Sequence, residues 1–161
     1  MPTDEDILAL VREAFAVPRP EHFTNHPGCS ECAEQNETLQ AHDLDTISSK
    51  EIGSPAWDPI TMCTNEAFQY WMPALARLTL EPDDDYFGWY GDSLMSQLEW
   101  DGPRNARWES CTPVQRQAVA ALLEHVFATQ SQRICPDDLD RVARVTAIRS
   151  DAGQSHDQSR D

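Results

Sequence analysis

Basic side chains are scarce in this 161-residue chain, where twelve lysines and arginines face twenty-eight aspartates and glutamates for a formal charge of −16. Such an excess repels phosphates and argues against direct contact with nucleic acid or an anionic membrane. No run of about 18 apolar residues occurs, which excludes a helical membrane span. The chain opens Met-Pro-Thr-Asp-Glu-Asp, acidic where a secretory signal needs a basic stretch and then an apolar one, so the expected location is the cytoplasm. An even cysteine set is also lacking. Cys29, Cys32, Cys63, Cys111 and Cys135 are odd in number and widely spread, which favours thiols or metal ligands over a disulfide framework. There is no Gly-x-Ser-x-Gly elbow, His-Glu-x-x-His pair, phosphate loop or dinucleotide fingerprint, and the acidic runs lack the alternating pattern of a calcium loop.

What is present suffices for a core: 40% of the residues are hydrophobic and 8% aromatic. Ile7, Leu10, Val11, Ala14 and Phe15 recur at helical spacing behind a Thr3/Asp6 capping pair, and Pro18 and Pro20 end that segment. A short helix is expected from Glu31 to Ala41, then a loop or short turns up to Pro59. Thr64 can cap a strongly apolar helix reaching Leu80, in which Pro73 predicts a kink or two abutting helices. Tyr86 to Trp100 reads as a further helix. Thr112-Pro113-Val114-Gln115 is a start signature, and Val119, Leu122, Leu123, Val126 and Phe127 follow it as a stripe. Pro136 to Val145 suggests the last helix. No stretch alternates with a period of two, so the expectation is an all-α bundle of about five to six helices in one domain, residues 1–149, with a disordered tail over 150–161. Of the five tryptophans, Trp57 and Trp108 are expected to be partly exposed.

The densest chemistry is His22-x3-His26-x2-Cys29-x2-Cys32, with His42 ten residues further on. Zinc takes four nitrogen or sulfur ligands, and a Cys-x2-Cys turn aims two sulfurs at one point, so these five residues are candidate ligands of a structural zinc. Two other readings stay open. One is a polar loop with incidental thiols. The other is a redox dithiol, against which the absence of a preceding strand counts. Glu81, Asp83, Asp84, Asp85, Asp92, Glu99 and Asp101 lie beside the aromatic centre and could present an acidic, partly apolar face to a basic partner, although for any single run a solvated surface is the favoured reading. Asp137, Asp138 and Asp140 form a second group. His125, Cys63 and Cys111 are read as packing residues, and Arg104 and Arg107 as a turn able to grip an anion.

Ala14-Phe15-Ala16-x-Pro18-x-Pro20, His26-x2-Cys29-x2-Cys32, the stretch Asn65 to Ala74 and the stretch Thr112 to Ala120 together resemble a bacterial family of small proteins of unknown function. The likeness spans roughly residues 5 to 128, with Glu66-Ala67-Phe68-x-Tyr70-x-x-Pro73-Ala74 its most specific part, and the segment from about Gln130 falls outside it. The resemblance implies a helical fold and no activity. Charge and the lack of catalytic motifs point to a non-enzymatic inhibitor of immunity or anti-defence type, a nucleic-acid mimic that neutralises a basic partner protein. The rival expectations are a zinc-dependent enzyme using the His/Cys cluster with Glu31 or Glu34, and an accessory subunit docked through the aromatic centre.

Overall fold

The computed structural model describes residues 1–83, 86–132 and 134–154. Among them the chain forms eight α-helices and no strand. Six helices have nine residues or more: α1 (Asp4–Ala14), α2 (Ser30–Gln40), α4 (Asn65–Leu80), α5 (Gly91–Glu99), α7 (Pro113–Gln130) and α8 (Pro136–Gln154). Two are short, α3 (Ser49–Ile52) and α6 (Ala106–Ser110). The expected all-α bundle is therefore present, its five or six expected helices being the long ones.

Helix starts follow local chemistry. Asp6 N–H donates to Thr3 Oγ1 at 3.2 Å while the Asp6 carboxylate accepts the Thr3 N–H at 2.8 Å, closing a capping box on α1. Thr112 and Gln115 close another on α7, with Pro113 at the first helical position, where its absent N–H leaves nothing unsatisfied. α1 packs on α4 and α7, α8 on α7 and α5, and α5 on α4. His125 of α7, buried, sets its Nε2 2.6 Å from the Asp4 carboxylate and fastens α7 to the start of α1, a structural role.

The centre of the bundle is α4, with twelve of its sixteen residues buried. It runs unbroken through Pro73, where a break into two helices was one of the expectations. Burial on nearly all sides outweighs the loss of one backbone donor. The Tyr86–Trp100 helix is shorter than expected, because α5 begins only at Gly91. Trp89 folds back so that its Nε1–H donates to Thr79 O at 3.0 Å, and a side chain at position 91 would collide with that ring at 2.0 Å. At the other end, α8 continues to Gln154, five residues into the segment expected to be disordered; residues 155–161 lie outside the described residues.

The long connections lack sheet partners for their carbonyls, and arginines supply them. Arg77 donates to Leu44 O and Ile47 O at 3.1 and 2.7 Å and pairs with Glu81 at 2.7 Å. Arg107 donates to Ile60 O and Thr61 O at 2.7 and 3.1 Å while its guanidinium lies 4.6 Å from the centre of the Phe68 ring. Arg149 is 1% exposed, donates to Leu98 O and Gly102 O, and covers the Trp108 ring at 4.9 Å. Arg19 and Arg116 do the same for Gln40 O and His42 O, and for Trp108 O and Glu109 O. Each is a charged donor to a neutral acceptor, stronger than a backbone bond. Replacing Arg107 by Ala takes the guanidinium donor from Thr61 O, leaves Ile60 O with the Cys63 N–H at 3.2 Å and strips the Phe68 ring of its cover, so a stability loss of about 2–4 kcal/mol is expected in urea unfolding at neutral pH. A loss below about 1 kcal/mol would show that the 59–62 turn is held by something else.

Candidate functional site

The turn before α2 is built by side chains rather than by a sheet. Asn36 Oδ1 accepts the N–H groups of Phe23 and Thr24 at 2.8 and 3.4 Å, and Thr24 Oγ1 donates to Cys32 O at 2.8 Å. Gly28 reverses the chain with φ +82°, a conformation that side chains disfavour. Cys29 then caps α2, its Sγ accepting the Cys32 N–H at 3.3 Å. Cys32 occupies the third helical position and is 4% exposed, whereas Cys29 is half-buried. His26, Cys29 and Cys32 line one recess of about 250 Å³ together with Thr24, Asn25 and Asn36.

The other two histidines stand apart. His22 is exposed, 3.9 Å from Glu21. His42 lies beyond the far end of α2, 4.0 Å from Glu51. At 1.5 Å per residue the helix separates it from Cys29 by roughly 18 Å, whereas zinc–ligand bonds are about 2.0–2.3 Å. His42 is thus no partner of the cysteines. Among the described residues no group of three or more histidine, cysteine, aspartate or glutamate side chains is arranged to hold a metal ion.

The two thiols differ electrostatically. A hydrogen bond from the Cys32 thiol, followed by the Cys32 backbone N–H, holds the Cys29 thiol below its ordinary value. Donating that bond, and burial, push Cys32 up to about 11. Cys63 and Cys111 are pushed up by burial to about 12 and about 11, as packing thiols are.

Three of the seven acidic residues expected to form a face are engaged by arginines. Glu81 pairs with Arg77, and Asp92 and Glu99 both grip Arg141 at 2.6 and 2.8 Å, joining α5 to α8. Asp83 and Asp101 are exposed, the latter in a left-handed conformation at φ 60°, while Asp84 and Asp85 lie outside the described residues. A clearer acidic surface sits on α2, where Glu31, Glu34 and Glu37 are all exposed. Spaced by three, they fall within about a third of the helix circumference, facing away from buried Cys32 and Leu39, with Glu31 at the edge accepting from buried Gln35 at 3.4 Å, and no basic residue occupies the last turn. Three glutamates at that spacing in Ser30–Gln40 were the signal for it.

Trp57 is partly exposed as expected, whereas Trp108 is not. Trp108 is 3% exposed beneath Arg149 and Arg116, and Trp57 is half-buried. Trp100 is 80% exposed and flanks a recess of about 420 Å³ lined also by Thr61, Asn65, Gln97 and Arg107. Buried Asn105 fixes that corner, donating to Gln97 O and Trp100 O at 2.7 and 2.8 Å and accepting the Trp108 N–H at 2.9 Å. No described helix is long and apolar enough to cross a membrane.

Behind this recess, burial pushes the Asp58 carboxyl above the usual range, against the opposing pull of the Ile60 N–H, the Thr61 hydroxyl and the Arg107 charge. Folding thus favours the protonated acid. Its stabilising contribution is full below the unfolded value of about 4 and is lost as pH rises through the folded one. Asp58→Asn carries no charge at any pH, so it should gain stability relative to the wild type between about pH 4 and pH 7 in urea unfolding; a drift the other way contradicts the burial argument. Compared with known protein families, with curated proteins and with solved structures, the chain matches none.

Proposed function

We propose that this chain is a non-enzymatic acidic binding protein that occupies the basic surface of a partner protein, as an immunity protein or anti-defence inhibitor does. The natural partner grips nucleic acid, because a chain of charge −16 complements a phosphate-binding groove and competes for it. One observation carries the reading: α2 presents Glu31, Glu34 and Glu37 outward, while Arg19, Arg77, Arg107, Arg116, Arg141 and Arg149 are engaged by the protein's own carbonyls and carboxylates. Positive charge is thereby taken up in the framework and negative charge faces the partner. Exposed carboxylates keep their water until contact, so such a surface chiefly accelerates encounter and selects by sign.

The test uses the full chain against a panel of immobilised basic DNA- and RNA-binding domains, at about 50 and about 500 mM salt, with duplex DNA or RNA as competitor. Binding at low salt, loss at high salt and displacement by nucleic acid are expected. The triple variant Glu31→Gln, Glu34→Gln, Glu37→Gln removes three exposed pairings of roughly 0.5 kcal/mol each and should weaken binding about tenfold. Undiminished binding by that variant, or no displacement by nucleic acid, overturns the reading.

A further inference from the structure

The Cys29/Cys32 pair has a geometry that neither the binding reading nor packing requires. Cys29 is the N-cap of an eleven-residue helix and Cys32 is its third residue, so the two side chains meet on one face. Residues three apart on a helix have Cβ atoms about 5–6 Å apart, near enough that a small adjustment of the turn at Gly28 reaches disulfide geometry. The outer sulfur is accessible from the recess that both cysteines line, and the inner one is 4% exposed behind it. An accessible attacking sulfur backed by a shielded resolving sulfur is the arrangement thiol–disulfide exchange needs. The preceding strand, whose absence from the sequence counted against this reading, is replaced as a support by Asn36, Thr24 and the pairing of Thr24 with Cys63.

We propose that Cys29 and Cys32 form a thiol–disulfide exchange site that accepts neutral or cationic disulfides. Cys29 Sγ, as thiolate, attacks one sulfur of an external disulfide, forming a mixed disulfide and expelling the other sulfur as a thiolate. The Cys32 thiol gives up its proton to that leaving thiolate or to water, and its sulfur attacks Cys29 Sγ. The second external thiolate leaves and is protonated in turn. Two electrons pass from the cysteine pair to the external disulfide, which departs as two thiols, and the chain retains a Cys29–Cys32 disulfide. Substrate charge is selected by Glu31, which lies between the cysteines and acts electrostatically on both, and by Glu34 one turn on, both exposed. This activity is independent of the partner-binding reading.

The experiment uses the full chain carrying Cys135→Ser, which removes the exposed thiol elsewhere. It is exposed to cystamine, a cationic disulfide, or to oxidised glutathione, an anionic one, and read by intact mass and peptide mapping. The parent chain should lose two hydrogens and keep no adduct, with the link mapped to Cys29–Cys32. Cys32→Ser should hold one stable adduct on Cys29, and Cys29→Ser, whose hydroxyl preserves the helix cap, should hold none at position 32. Cystamine should react about threefold faster or more at low salt, an advantage that salt removes. Circular dichroism of each variant confirms the fold. Stable adducts on the parent chain, equal labelling of both cysteines, equal rates for the two disulfides, or a zinc ion found on the thiols in the native mass overturns the proposal.

Discussion

A folded chain without strands must still satisfy the carbonyls of its long connections, and here guanidinium groups meet that constraint. Three stretches, 41–48, 53–64 and 100–105, wrap the bundle without continuous backbone partners. Arg77 holds the first, Arg107 the second and Arg149 the third, each reaching across the sequence to carbonyl oxygens. A buried carbonyl left without a donor costs about 1–3 kcal/mol; Arg77 supplies that donor for Leu44 O and Ile47 O, whereas Ile60 O and Gly102 O share their arginine with the N–H groups of Cys63 and Asn105. The same groups cover aromatic faces, with Arg107 over Phe68 and Arg149 over Trp108, and so join the loops to the apolar core.

This use of arginine shapes the outer surface. The chain has few basic residues, and those turned to the framework no longer offset exposed carboxylates facing outward. Arg141 pairs with Asp92 and Glu99 in the contact between α5 and α8, which offsets their charge while both stay partly exposed. Exposed carboxylates remain along the outer side of α2, at Glu31, Glu34 and Glu37. Distribution of charge, more than its total, decides where a basic partner would meet the molecule.

Features set by short-range chemistry were legible in the sequence. Thr3 with Asp6, and Thr112-Pro113 with Gln115, need only neighbours three residues away to define a helix start, and both are present as read. Features set by distant residues were not. Pro73 sits inside one continuous helix because the surrounding bundle buries it, and the start of α5 is fixed by Trp89 reaching back to Thr79. Trp108 is covered by Arg116 and, from far along the chain, by Arg149, while Trp100 stands out because Asn105 anchors its carbonyl rather than its ring. The Cys-x2-Cys pair could be read as a unit since a helix start brings positions three apart together. The separation of His42 was legible as well, because the helix expected from Glu31 to Ala41 already fills the interval between it and the cysteines.

Both proposals fall on α2 for one physical reason. Its buried residues are only Cys32, Gln35 and Leu39, so apolar packing contributes little to its position. It is held instead by polar contacts at its two ends: Asn36 and Thr24 near the start, and the carbonyls of Gln40 and His42 on Arg19 beyond the last turn. Such attachments fix direction and register yet leave the outer face and the capping turn open to solvent. A helix embedded like α4 could not offer a thiol or a carboxylate without disturbing the core, since nearly every side chain there fills space. Placing reactive and charged groups on a helix pinned by polar contacts keeps them accessible and positioned while the core stays closed.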